Sequence, residues 1–496
     1  MPHIRLILAI VLGAALMAAG ASPPPAAAQN RSRGAQEQKT GDQTHPKILA
    51  RYGGEIRNQQ VSDYVTRIGR KLARYSSQPR ARWTFTVLDT PEVNAFAIPG
   101  GYVYVTRGLL ALANSEAELA GVLGHEIGHV TAGHVASRRE RSNEAGLGVL
   151  LGAVVGGLLG GKEGLRQGLE LSTRVAAGYV ARHSQEQEFA ADKIGVRILA
   201  RAGYDTFAQA DFLDNMAEKA RLDARLQGKA YNPNAVSFFA SHPATADRVR
   251  RAIEAARRQG ARVGAGAPRN ERRYMLLIDG MIYGDSRQQG LVRGRRFSHP
   301  VLRFTYRVPA GFHIANSAAA VTAMGPSGSR LILDSRKYRG ERLDRYISRN
   351  WAPAISRIHR AGRLTGLRRT GVNGLDAATA SMPVRIGAQN MLAQLAAIRL
   401  DGRIYRLIGV SPVGDRATQR GIAKAIRSFR ALSRAEAAGL KPYRIRVHEV
   451  RSGDTIAGLS RLMRVEAFPQ DHFRTLNGYD DGNAMRAGDI VKLVVE

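Results

Sequence analysis

Gly124-His125-Glu126-Ile127-Gly128-His129 decides how the first half of this 496-residue chain is read. His125 and His129 stand four residues apart, so on a helix they share a face and both imidazoles reach one metal ion. Glu126, beside the first of them, then lies next to a water on that ion and can accept its proton. The spacing of apolar residues predicts a helix that starts near Ser115. Glu116 and Glu118 fall in its first turn, where carboxylates oppose the positive end of the helix dipole.

Two imidazoles do not complete a hydrolytic zinc site, which needs a third protein ligand and an open position. His134 follows His129 by five residues, one short of the metzincin spacing, and reads instead as a residue at the helix end. Glu188 and Asp192, sixty residues on, are spaced i,i+4 on a second helix and project to one face. One of the two carboxylates can bind the metal while the other accepts the free N–H of a ligating histidine. Glu186 faces away, as a solvated acidic position.

H-E-x-x-H followed by Glu188-x-x-Ala191-Asp192 resembles the gluzincin metallopeptidases of the CAAX-prenyl-protease and heat-shock-protease (HtpX) type, and among them the soluble periplasmic, BepA-like branch. Residues 94–101, Gly195 with Ala202-Gly203-Tyr204-Asp205, and Ser241-His242-Pro243 carry the same resemblance, over roughly residues 46–260. It implies a mainly helical zincin-type domain with a small β-sheet and one Zn2+ per chain. His125, His129 and Glu188 would bind the metal, Asp192 would orient a ligand histidine, and Glu126 would be the general base. His242 would either steady the oxyanion or occupy the fourth metal position as a latch. Asn94, Ala95, Phe96 and Ala97 would offer a strand on which an extended substrate adds by β-pairing. Gln185 stands where that family usually has Arg.

Working outward, Arg5 precedes an apolar run over 6–21, and Ala26-Ala27-Ala28 precedes Gln29. This is the layout of an export signal, residues 1–28, removed by a small-residue-specific peptidase. Residues 29–45 are polar and read as disordered. The peptidase-like unit then spans 46–262, and Gly-Ala-Gly-Ala-Pro at 264–268 opens a linker over 263–285. Between the two metal-binding helices, Gly148, Gly152, Gly156 and Gly160 recur every fourth residue, a stripe that permits close helix contact and fits either a mobile or packed hairpin over the cleft or a surface that touches a membrane or a partner.

Residues 286–433 alternate strand-like stretches (302–308, 330–334, 375–385, 405–410) with amphipathic helices over 343–361 and 416–432, an α+β accessory domain. Residues 442–496 run strand, Gly453-Asp454-Thr455, helix, Leu476-Asn477-Gly478, strand. That order resembles a LysM module, a small βααβ fold that binds N-acetylglucosamine polymers such as peptidoglycan. The fold class expected is therefore multidomain α+β.

The chain holds 74 Lys and Arg against 41 Asp and Glu, a net +33, and no cysteine. Disulfides, thiolate ligands and cysteine nucleophiles are excluded. No nucleic-acid motif accompanies the charge, so nucleic acid is not expected as a partner. The expectation is a periplasmic zinc endopeptidase acting on unfolded or misassembled envelope proteins. The outer-membrane assembly machinery, and peptidoglycan through 442–496, are the further partners it implies. Two alternatives are a latched zinc-containing chaperone or scaffold at the outer membrane or cell wall, and a LysM-targeted cell-wall hydrolase.

Overall fold

The computed structural model describes residues 26–135, 183–226, 228, 230–231, 242, 245–260, 266–317, 320–480 and 484–496. The apolar part of the expected export signal, the glycine-rich stretch 145–161, and Ser241 and Pro243 on either side of His242 lie outside them.

The N-terminal unit is built on a three-stranded sheet of β1 (Thr84–Leu88), β2 (Ala95–Ile98) and β3 (Tyr102–Thr106). β1 runs parallel and β2 antiparallel to the central β3, which leaves β2 at the edge. Helix α1 (Ala26–Tyr52) covers one face, where Ile48 and Tyr52 pack on Leu88, Phe96 and Tyr104. The disorder expected for 29–45 is thus corrected. Thr40, Thr44 and Ile48 recur at i, i+4, i+8 and are buried, and Asp42 accepts a hydrogen bond from the Tyr102 hydroxyl. Polar composition hid this face because two of its three members are threonines. Gly41 passes so close to the sheet that a Cβ there would lie 2.5 Å from the Pro99 carbonyl oxygen.

On the other face lie α2 (Gln59–Ala73), α3 (Arg107–Leu112), α4 (Glu116–Thr131), α5 (Gln185–Arg201), α6 (Ala208–Leu226), α7 (Ala246–Arg258) and α8 (Glu271–Ile278). α8 falls within the expected linker and is no linker. Tyr274 and Ile278 are fully buried in the core of this unit, and the Tyr274 hydroxyl donates to the Leu110 carbonyl at 2.6 Å. β4 (Ile282–Tyr283) follows directly.

The central unit holds two antiparallel sheets. β5 (Leu291–Arg293), β6 (Arg296–His299) and β7 (Phe304–Arg307) combine with β16 (Arg430–Ala431) in the order β16-β7-β6-β5. The larger sheet contains β8 (His313–Asn316), β9 (Val321–Met324), β10 (Arg330–Lys337), β11 (Arg360–Ala361), β12 (Thr365–Val372), β13 (Leu375–Ile386), β14 (Gln389–Leu400) and β15 (Arg403–Pro412). Its order is β11-β13-β14-β15-β10-β9-β8, with β12 beside β11 along the same edge of β13.

Both faces of the larger sheet are covered. Ala378, Ala380 and Met382 pack against Ile347, Trp351 and Ile355 on one side. Ala377, Ala396 and Tyr405 pack against Phe429 and against Ile422 of α10 (Arg416–Arg427) on the other. The continuous helix expected over 343–361 is corrected: this helix, α9, begins at Leu343, changes to π geometry at Tyr346–Trp351 and ends at Ser356. Pro353 lacks the N–H that would bond the Arg349 carbonyl, so the ladder cannot run through it as a regular α-helix.

His299 on β6 is buried, and its Nδ1 accepts the Leu302 N–H at 3.2 Å. Burial, helped by Arg403, pushes its pKa down to about 4. Between pH 6.5 and about 4 the unfolded chain binds a proton that the folded chain does not, so stability is lost as the pH falls through this window. His299→Asn, whose Oδ1 can take the same bond without titrating, should remove on the order of 2 kcal/mol of the loss between pH 7 and 4.5. Melting curves at the two pH values check this; an unchanged slope contradicts it.

The C-terminal unit follows α11 (Arg434–Gly439) and runs β17 (Tyr443–Glu449), α12 (Ile456–Ser460), α13 (Pro469–Asn477), β18 (Ile490–Val495). It does not stand apart. β4 extends its sheet in the order β18-β17-β4, and Ile445 enters the N-terminal core. The fully buried Lys492 ammonium donates to the carbonyls of Ala111, Leu112 and Ala113 at 2.8, 3.2 and 2.9 Å, closing the C-terminal end of α3. Lys492→Met takes the ammonium from the Ala111 and Ala113 carbonyls and leaves Leu112 only the Asn215 amide, and should cost about 3 kcal/mol. Limited proteolysis should then release the C-terminal unit first, whereas simultaneous digestion of all units would contradict the docking role. Among the described residues no helix is long and apolar enough to cross a membrane.

Candidate metal centre

α4 begins where the sequence places it. Ser115 is the N-cap, its hydroxyl accepts the Glu118 N–H at 3.0 Å, and Glu116 and Glu118 occupy the first turn. Small residues then bring α4 against α5. A Cβ on Gly124 would lie 3.4 Å from Gly195, and one on Gly128 would lie 3.0 Å from the Ala191 carbonyl oxygen. This close approach sets His125 and His129 of α4 opposite Glu188 and Asp192 of α5. α5 itself is fixed by a capping box between Ser184 and Gln187.

The structure brings His125, His129, Glu188 and His242 together, one ligand atom from each lying within 4.8 Å of all the others. His125 Nε2 is 3.0 Å from His129 Nε2 and 3.2 Å from His242 Nδ1. Glu188 Oε2 is 3.4 Å from His125 Nε2, and its Oε1 is 3.4 Å from His129 Nε2 and 2.9 Å from His242 Nδ1. All four residues are buried. A tetrahedral zinc ion with bonds of about 2.0–2.1 Å places its ligand atoms about 3.3 Å apart. The donor set of imidazole nitrogens and one carboxylate, without sulfur, suits zinc. These residues therefore fit the ion.

Electrostatics hold His129 and Glu188 in their binding forms, whereas Asp192 and Glu188 overcome burial and push the His125 pKa up to about 10, so an arriving metal ion displaces a proton from it. Burial drives the His129 pKa well below the usual histidine range, and His125 lowers it further, so its imidazole is neutral. Burial works against charge on Glu188, but His242 and Arg248 hold it well below the usual carboxylate range. Burial likewise opposes charge on Asp192, and Arg248 and His125 outweigh it. His125 Nδ1 lies 2.8 Å from Asp192 Oδ1, which leaves Nε2 facing the cluster. His129 is held differently: its Nδ1 lies 3.1 Å from His134 Nδ1, and its ring stacks on His183 at 3.7 Å.

Two residues that sequence reasoning missed complete the frame. Arg248, 2% exposed, forks across both carboxylates: Nη1 to Glu188 Oε2 at 2.9 Å, Nη2 to Asp192 Oδ1 at 2.8 Å and Nε to Asp192 Oδ2 at 2.9 Å. A signal for it existed: Arg248 shares a helix face with the buried Ala252 and Ala255, and an arginine in an apolar row marks a buried counter-ion. Gln209 Nε2 donates to Asp192 Oδ1 at 3.0 Å; nothing in the sequence around it sets it apart.

Glu126 is buried with Oε1 3.5 Å from His242 Nε2. Beside His125 and Glu126 lies an apolar recess of about 50 Å3, lined among others by Asn94, Ala95, Leu109, Val122, Phe212 and Met216. Asn94 and Ala95 thus reach the cleft at the end of edge strand β2, while Phe96 packs on α1 and Ala97 in the N-terminal core.

Residues 59–256 match the description Peptidase family M48. The chain is 31% identical over 165 residues to the beta-barrel assembly-enhancing protease of Yersinia pestis, an alignment that covers 32% of this chain and 34% of that one. To the protein of that name from Escherichia coli it is 28% identical over 175 residues, covering 34% and 35%. To the mitochondrial metalloendopeptidase OMA1 of Schizosaccharomyces pombe it is 25% identical over 225 residues, covering 44% and 60%. The chain thus spans about a third of the length of these two bacterial relatives.

Proposed function

Since residues 59–256 form a zinc-dependent metallopeptidase domain of family M48, we propose that the whole chain is an exported endopeptidase that cleaves unfolded or misassembled envelope proteins. The observation that carries this reading is the four-residue cluster with Glu126 beside it, in a cleft bordered by an edge strand. Zinc bound there supplies a polarised water with a pKa lowered to about 7. Glu126 would serve as the proton acceptor beside the ion and would return that proton to the leaving amine. Asp192 fixes the tautomer of His125, and Arg248 keeps Asp192 and Glu188 ionised. A substrate extended along β2 pairs through its main chain, so its side chains are little selected except where one enters the apolar recess. A recess of this size favours a small apolar residue next to the scissile bond. Pairing along β2 supports an extended, unfolded segment as substrate, and the names of the bacterial relatives agree with an envelope substrate. An arginine followed by an apolar run and an alanine triplet at the N-terminus supports export. The order β17-α12-α13-β18 supports the LysM-like reading of the C-terminal unit, with peptidoglycan as its ligand.

The test is digestion of one protein in folded and in reduced, unfolded form, with cleavage sites read by mass spectrometry. Internal cuts confined to the unfolded form, with small apolar residues recurring beside them, are expected. Equal cleavage of both forms contradicts the reading.

A second reading, the latched site, is favoured by one observation: His242 Nδ1 stands among the donors, 2.9 Å from Glu188 and 3.2 Å from His125. His242→Ala then raises the rate on small peptides severalfold if the residue is a latch. A fall of about 10-fold or more assigns it to oxyanion stabilisation.

A further inference from the structure

We infer that the central unit carries a docking face for a bilayer surface bearing anionic phosphate headgroups. Residues 286–433 contain 27 Lys and Arg against 6 Asp and Glu, a net +21 of the chain's +33. Residues 46–262 contain 30 against 21. The excess therefore belongs to one unit and is not a uniform bias of the chain.

The fold gathers it onto one side of the larger sheet. Arg416, Arg420, Lys424 and Arg427 of α10 fall at i, i+4, i+8 and i+11, a single stripe about 16 Å long. All four are exposed. α10 packs on the face that includes Gly409, where a Cβ would strike Ile422. Cross-strand register puts Gly409, Gln394, Ser381 and Thr365 on that face. By the two-residue period of the strands, Arg385, its partner Arg360, and Arg368 share it. These three are exposed as well. None of the seven cations makes an ion pair among the described residues. Elsewhere in the unit arginines do pair, Arg406 with Asp334, Arg303 with Asp401 and Arg342 with Asp344.

Two exposed aliphatic residues accompany the cations: Val413, 61% exposed, at the N-terminal end of α10, and Leu367, 39% exposed, beside Arg368. Aliphatic tips among cations suit the headgroup region of a bilayer. Single-stranded nucleic acid is bound by stacking on aromatic rings, and the large hydrophobic residues exposed in this unit include none. Each cation held at an anionic surface raises affinity by about fivefold, within a Debye length.

The test is co-sedimentation of the full chain with phosphatidylcholine vesicles, with and without phosphatidylglycerol. Binding only to the anionic vesicles, reversed by about 0.5 M salt, is expected. Replacing Arg416, Arg420, Lys424 and Arg427 by Gln should weaken it at least about tenfold, and replacing Arg360, Arg368 and Arg385 by Gln should also weaken it. Replacing the exposed Arg57, Arg70, Arg74 and Arg80 of the N-terminal unit removes equal charge and should change it by less than about twofold. Equal binding to both vesicles, no loss in the first two sets, or equal loss in the third overturns the proposal. Tighter binding to a single-stranded oligonucleotide than to anionic vesicles does so as well.

Discussion

Glu126→Gln should lower kcat on an unfolded protein by on the order of a thousandfold while zinc stays at one per chain. The exchange preserves shape in a buried position, and Glu126 is not among the four residues whose donor atoms converge. What is lost is one proton acceptor, 3.5 Å from His242 Nε2. Because that group acts in the bond-breaking step and not in substrate binding, kcat and kcat/KM should fall together with KM nearly unchanged. Zinc content and steady-state casein hydrolysis measured on one preparation decide the matter. Loss of zinc together with activity would make Glu126 a structural residue. Retained activity would remove the general base from the account.

Arg248→Met should be the most damaging single change outside the ligands. Its guanidinium is buried between two carboxylates and bonds to both, so its removal leaves two buried charges held only by imidazoles and the Gln209 amide. Breaking such a buried pair costs about 3–5 kcal/mol. Glu188 and Asp192 would both move up toward the usual carboxylate range, and Asp192 would hold His125 less firmly. Zinc affinity should fall by about 10–100-fold, as when a group supporting a ligand is lost. Arg248→Lys should recover only part of this, because an ammonium cannot make the three-point fork. Competition with a zinc chelator and thermal melts read both effects. An Arg248→Met protein with wild-type zinc affinity would show that Asp192 and Glu188 need no such frame.

The two halves of the metal centre were legible in the sequence because each lies on one helix, where i,i+4 spacing is a local property. His125 with His129, and Glu188 with Asp192, could be paired before any fold was known. That the two helices face each other rests on Gly124, Gly128, Ala191 and Gly195, whose small size is visible but whose partners are not. Arg248 was overlooked because it sits among Arg250, Arg251, Arg257 and Arg258, and only its place in the row of Ala252 and Ala255 sets it apart. The helices α1 and α8 are not legible in the sequence, since their burial depends on surfaces far away in the chain. Helix α1 has too little apolar surface to signal itself, and Tyr274 and Ile278 are only two residues until Leu110 and its neighbours surround them. In the central unit β13 is legible as the stretch 375–385, whereas alanine-rich β14 is buried on both faces along its second half, so the alternation that marks a half-exposed strand is weak there.

We propose that one zinc ion, held by His125, His129 and Glu188, enables Glu126 to cut peptide bonds. Zinc titrated back into chelated protein, with new amino termini from an unfolded protein counted at each step, tests it most directly. No cleavage is expected without zinc, then a rise that ends at one equivalent per chain, and no rise at any zinc level in Glu126→Gln. Cleavage that survives chelation, or one that Glu126→Gln restores with zinc, would contradict it.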